Sequence, residues 1–192
     1  MKWRRGRGSR ASRIATDGGA PISARRHLVA AILTFVALAV SLGLHAQDSP
    51  QVTFTSYGPA RIGMSLQALH DVLGGRLEDD PMQEEACRYV SKPRQAGVSY
   101  MIVDGRLARI DVSEPSRAET VAGGRIGMGE ASMLRIYPGI GVTPHFYDEE
   151  GSYLTLLSRD KRYGIRFEVI DGKVARYYAG RADVIEYVEG CL

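Results

Sequence analysis

Histidine, cysteine and clustered carboxylates are the side chains that most often carry chemistry, and this chain brings few of them together. Of its four histidines, His27 and His45 fall in the amino-terminal stretch, and His70 sits beside the apolar face of a predicted helix. His145 is the remaining one, close to Tyr147, Asp148, Glu149 and Glu150. An imidazole beside a carboxylate can serve as a general base with its orienting group, so one reading is a hydrolase-like enzyme using His145 and a neighbouring acid. No Gly-x-Ser-x-Gly, His-x-x-x-His or free nucleophilic cysteine accompanies it, and no catalytic residue is assigned. The acidic run Glu78 to Glu85 could attract a hard cation, but its spacing matches no calcium loop. It reads as a solvated loop, with no metal and no cofactor implied.

The second chemistry is recognition. Tyr89, Tyr100, Tyr153, Tyr163, Tyr177 and Tyr178 lie at or beside predicted strands, interleaved with arginines. Tyrosine with arginine favours protein contacts. The candidate binding residues are therefore Tyr100, Arg109, His145, Tyr147, Arg166 and Arg176. Arg109, Asp111 and Arg176 read as solvent-face strand residues. Half of the tyrosines could instead point into the core.

A repeat organises the elements that must position these groups. Arg61-Ile62-Gly63-Met64 returns as Arg125-Ile126-Gly127-Met128, and at a slightly wider spacing Asp104-Gly105 returns as Asp171-Gly172. After each first motif a short apolar-faced segment predicts a helix: Leu66 to Leu73, capped by Ser65 and stopped by Gly74-Gly75, then Glu130 to Tyr137, with Gly129 in the capping place. Val98–Val103 and Leu107–Val112 flank one Asp-Gly, and Gly164–Ile170 and Val174–Tyr178 flank the other, which predicts two hairpins. Shorter strands are predicted at Val52–Tyr57, Cys87–Val90 and Tyr153–Leu157, while Asp183–Val188 fits either a strand or a short helix. The expected fold is α+β, with two tandem repeats (about 52–116 and 117–192). Each is a short helix on an antiparallel meander of about three strands, both helices on one side and the opposite sheet face free.

Residues 1–27 carry eight basic side chains and one acidic, and Leu28 to Leu44 then runs without a charge before His45-Ala46-Gln47. That is the layout of a signal peptide, here residues 1–46, cleaved after Ala46. An uncleaved membrane anchor is the alternative. Without those eight basic side chains and one acid, the whole-chain net charge of +3 becomes −4. Nucleic-acid binding from overall charge is thereby excluded. Residues 47–192 are the size of one domain. In an exported chain, Cys87 and Cys191 read as a disulfide, two free buried thiols being the alternative.

Helices opened by a Gly-Met-Ser/Thr motif and followed by a meander, as at Gly63-Met64-Ser65 and less closely at Gly127-Met128-Gly129, resemble the tandem units of beta-lactamase inhibitor protein and of the small outer-membrane assembly lipoproteins. The chain also resembles a broad uncharacterised family of secreted bacterial proteins. Its marks are two such repeats, Pro144-His145-Phe146-Tyr147 and the terminal Tyr187 to Cys191 stretch. The resemblance implies the fold and no activity. Three functional classes follow: an exported periplasmic or secreted binding protein whose partner is another envelope or secreted protein, the hydrolase-like enzyme, and a structural envelope protein with no discrete ligand. Membrane contact is expected only through an uncleaved leader.

Overall fold

The Asp-Gly turns are where local chemistry sets the architecture. Asp104 and Gly105 have φ of 50° and 72°, and Asp171 and Gly172 have 50° and 69°. Two consecutive positive φ values make the turn whose twist matches paired strands. The first closes β5 (Val98–Val103) on β6 (Arg106–Val112), and the second closes β9 (Tyr163–Ile170) on β10 (Lys173–Arg181). The computed structural model describes residues 50–79, 84 and 86–191. All of these lie in one compact unit, Ser49–Leu192. The proposed leader lies outside the described residues, as does most of the acidic run Glu78 to Glu85.

The remaining elements are β1 (Ser56–Tyr57), β2 (Ala60–Arg61), α1 (Leu66–Leu73), β3 (Glu78–Asp79), β4 (Cys87–Ser91), α2 (Glu130–Ile136), β7 (Gly141–Pro144) and β8 (Ser152–Leu157). Strands β3 to β10 form one eight-stranded sheet in the order β3-β4-β5-β6-β10-β9-β8-β7, all antiparallel. The architecture is α+β and mostly antiparallel, with two α-helices among the described residues. Each side of the β6–β10 junction holds four strands, where about three were expected, because short edges β3 and β7 join the ladder. The expected strand over Val52–Tyr57 shrinks to a bridge at Val52 and a tiny β1–β2 ribbon, since Gly58 turns the chain back at once.

Each helix is anchored to its hairpin in the same way. Gly63 N donates to Leu107 O, Leu107 N to Met64 O, and Leu66 N to Gly105 O. Gly127 N donates to Val174 O, Val174 N to Met128 O, and Glu130 N to Gly172 O. The turn carbonyl thereby satisfies an amide at the start of the helix that has no partner within it. Ser65 Oγ accepts a further one from Ala68 N at 3.2 Å. Gly129 offers no side chain to do so. Leu69 and Leu73 of α1 pack on Tyr100, Ile102, Leu107 and Ile110, and Met133 of α2 packs with Phe167, Val169, Val174 and Tyr177. Full burial stabilises such side chains by about 1.5–3 kcal/mol each. Ile110 and Ala179, one from each cluster, are cross-strand partners on the same face, so both helices cover one side of the sheet.

A bulge in each central strand decides what faces the other side. Ala108 is the extra residue of β6 and Ala175 that of β10. Strict alternation would place Leu107 with Arg109 and Asp111, and Val174 with Arg176 and Tyr178. The bulges break that parity. Leu107 and Val174 join the helix side, and the charged residues gather on the opposite face.

That opposite face is not free, contrary to expectation. Residues 182–191 lie across part of it as a series of turns, neither strand nor helix, with Val184 and Ile185 fully buried. Gly164, directly opposite Gly180, makes the room: a Cβ there would stand 2.3 Å from Ile185 Cδ1. The segment is tied down by a Cys87–Cys191 disulfide, with Cα atoms 5.2 Å apart and a sequence separation of 104. Closing a loop of that size stabilises by about 4–5 kcal/mol in the chain-entropy account.

Candidate functional site

Cross-strand neighbours build the site on the helix-free face. Arg109 and Asp111 of β6 sit beside Tyr178 and Arg176 of β10, then Arg166 and Glu168 of β9, then Tyr153 of β8. Arg109, Asp111, Arg176, Tyr178 and Glu168, together with residues 188–190, line an open polar cleft of about 520 Å³. Its walls include Tyr89, Arg109, Asp111, Tyr147, Glu168, Arg176 and Tyr178.

Arg109 is 3% exposed, which corrects its reading as a solvent-face binding residue. All five of its N–H groups are used. Nε donates to Asp111 Oδ1 at 2.8 Å and Nη2 to Asp111 Oδ2 at 2.8 Å and Tyr89 Oη at 2.5 Å. Nη1 donates to Val184 O at 2.9 Å and Tyr187 O at 3.0 Å. Its guanidinium also lies 4.4 Å over the Tyr178 ring. Burial pulls its pKa down, but the charge and hydrogen bonds of Asp111 more than offset this and hold it above the ordinary value. Arg109 therefore staples the carboxy-terminal segment to the sheet and has no donor left for a ligand.

Tyr100 is also corrected: it is 0% exposed on the helix side, with its hydroxyl donating to Gln95 Oε1 at 3.1 Å. Burial pushes its pKa up to about 12, although the Gln95 hydrogen bond opposes the shift. Tyr177 shares that face, while Tyr89, Tyr153 and Tyr178 belong to the other.

Arg176, unlike Arg109, is exposed. Its side chain is 58% exposed at the cleft, with Nε donating to Glu168 Oε2 at 2.5 Å. The buried Glu168 also accepts from Tyr178 Oη at 3.0 Å. Arg166 is mostly covered, its guanidinium 4.0 Å over the Tyr153 ring and 3.9 Å from the Glu186 carboxylate.

His145 has a buried ring, stacked on Tyr153 at 4.5 Å. Its Nδ1 accepts from Tyr147 N at 3.2 Å and Asp148 N at 3.1 Å, which leaves the ring proton on Nε2. Nε2 is buried and 3.6 Å from Glu168 Oε2, so the acid beside the imidazole is Glu168 and not one of Asp148 to Glu150. Both nitrogens face the protein. The ring shapes the loop that follows: Phe146 is 71% and Tyr147 62% exposed, their rings edge to face at 4.8 Å. The Tyr147 hydroxyl donates to Glu189 across the mouth of the cleft.

Of the residues singled out in the sequence, Arg109, His145, Tyr147, Arg166 and Arg176 lie at or beside this face and Tyr100 does not. The sequence signals missed Glu168, Asp111 and Tyr178 as partners because those roles depend on pairing across strands, and missed Phe146, whose exposure no local pattern declares. Among the described residues, no group of three His, Cys, Asp or Glu side chains is arranged to hold a metal ion.

No family model and no curated protein matches the chain. Its structure is similar to the crystal structure of the uncharacterized protein yfeY from Escherichia coli, at 19% identity and a TM-score of 0.41, over 68% of this chain and 99% of that one.

Proposed function

We propose that this protein is an exported, non-enzymatic binding protein of the bacterial cell envelope, periplasmic or secreted, whose partner is another envelope or secreted protein. The observation that carries the reading is the exposed Phe146–Tyr147 pair, held beside a cleft walled by tyrosine and arginine. Exposed aromatics on an ordered loop next to a concave polar surface are the usual makings of a protein contact. The disulfide supports an oxidising compartment, in line with the signal-like leader. A hydrolase relying on His145 would need one of its nitrogens turned toward a substrate, and both face the protein.

The two-repeat organisation belongs to the same reading. It is supported by the recurring Arg-Ile-Gly-Met motif, the three matched backbone hydrogen bonds, the matched bulges and a strand order that mirrors about β6–β10. Two units joined edge to edge give one wide sheet with both helices on one side, leaving the other side for the cleft.

The test is site-specific photo-crosslinking in the native compartment. A photoreactive residue in place of Phe146 is expected to capture one protein reproducibly, and Phe146→Ala with Tyr147→Ala is expected to abolish co-purification of that protein without lowering thermal stability. Unchanged co-purification by the double variant sinks the assignment of this surface.

A further inference from the structure

The loop carrying Phe146 and Tyr147 is built to hold its shape. His145 N donates to Gly151 O, Tyr147 N and Asp148 N donate to the His145 ring, Glu150 N to Asp148 Oδ1, and Gly151 N to Asp148 O. Most backbone donors between His145 and Gly151 are therefore satisfied within the loop, so the aromatic pair is presented with little ordering left to lose on binding. Gly151 closes the loop at a point where a Cβ would stand 2.9 Å from His145 Cβ and 3.0 Å from Val169 O.

The exposed charges beside the pair are mainly acidic, and the exposed Arg176 of the adjoining cleft is bonded to Glu168. Glu149 and Glu150 follow it in the same exposed loop, and Glu189 is bonded to Tyr147 itself. On the neighbouring segment, Glu186 is exposed and its cationic neighbour is the largely covered Arg166, 3.9 Å away, while Tyr187 adds a further exposed ring. Aromatic faces flanked by carboxylates attract cations through ring quadrupole and charge together. They also repel an acidic partner.

On the reading of this protein as a binding module, we propose that the Phe146–Tyr147 loop with the Tyr187–Glu189 rim docks a protein segment that alternates apolar residues with arginine or lysine. The apolar side chains cover Phe146 and Tyr147, and the cations meet the ring faces and the carboxylates of Glu149, Glu150 and Glu189.

Three short capped peptides test this on the native protein by calorimetry: one alternating Arg and Leu, one with Glu in place of Arg, and one with Ser in place of Leu. The Arg–Leu peptide is expected to bind at least roughly ten-fold more tightly than either control, and its affinity to fall as salt rises. Phe146→Ala is expected to cost roughly ten-fold, and Glu149→Gln with Glu150→Gln to weaken binding and flatten the salt dependence. Equal binding of the Glu–Leu peptide, or a salt dependence unchanged in the double Gln variant, overturns the proposal. The crosslinked partner separates the two readings. A captured contact segment rich in acidic residues overturns the charge assignment and leaves the binding-protein reading standing, whereas a basic, apolar segment supports both.

Discussion

Arg109 and Arg176 are both strand arginines paired with a carboxylate, yet their surroundings give them opposite work. The Arg176 side chain is more than half exposed, so its pair with Glu168 is weakened by water on the arginine side. Arg109 is buried with every donor engaged, and two of its bonds reach Val184 O and Tyr187 O from across the sheet. Removing it leaves the Asp111 carboxylate to the Tyr89 hydroxyl and takes two hydrogen bonds from the carboxy-terminal segment. Arg109→Ala is expected to cost about 3–5 kcal/mol in denaturant unfolding, the range for breaking a buried ion pair. Arg109→Lys is expected to recover only part, because an ammonium cannot reproduce the planar five-donor fork. An Arg109→Ala cost under about 1 kcal/mol would show that the staple carries no weight.

Among the elements, the carboxy-terminal segment and the sheet edges decide what a partner can reach. Gly164 matters through space and not through backbone freedom, since Ile185 Cδ1, Leu157 Cδ2 and Leu156 O crowd the place of a Cβ. Gly164→Ala is therefore expected to lift the segment and cost about 1–3 kcal/mol, as overpacking does. Hydrogen exchange should then quicken at Val184 and Ile185 while the α1 and α2 amides stay protected. Equal acceleration everywhere would mean that the segment is not a separate unit of stability. The β7 edge has its own protection. His145 N bonds Gly151 O, so the ladder turns Val142 and Pro144 outward, and Pro144 has no N–H to offer a further strand. The proposed partner surface is accordingly the loop beyond β7 and not the edge itself.

At the scale of the whole molecule, burial of tyrosine couples stability to alkaline pH. Burial raises the phenols of Tyr89, Tyr177 and Tyr178 well above their ordinary value and Tyr100 to about 12, and it raises Tyr137 as well. Arg109 opposes the shift at Tyr89 and Tyr178 without reversing it. A raised folded pKa means that the stabilisation is fully present below the unfolded value of about 10 and is lost as pH rises beyond it. Stability is thus expected to fall steeply above about pH 10. In an ultraviolet phenolate titration, these five of the ten tyrosines should ionise only together with unfolding. Smooth ionisation of all ten while the fold persists would contradict their burial.

The sequence by itself determined what depends on neighbours in the chain. The Asp-Gly turns, the ends of α1 at Ser65 and Gly74, the bounds of β5 and the Cys87–Cys191 bridge were all legible, because turn dihedrals, caps and cysteine parity behind a signal-like leader are local or compositional signals. Only the tertiary structure decided which tyrosines lie inside. Alternation cannot reveal the bulges at Ala108 and Ala175, and each bulge changes which residues share a face. Residues 182–191 carry too little periodicity to announce an element, and their place over the sheet is set by Arg109, Ile185 and the disulfide, contacts that close only when chain positions far apart meet. The cleft exists because that segment crosses a face already shaped by the pairing of β6 with β10. No stretch of sequence contains it.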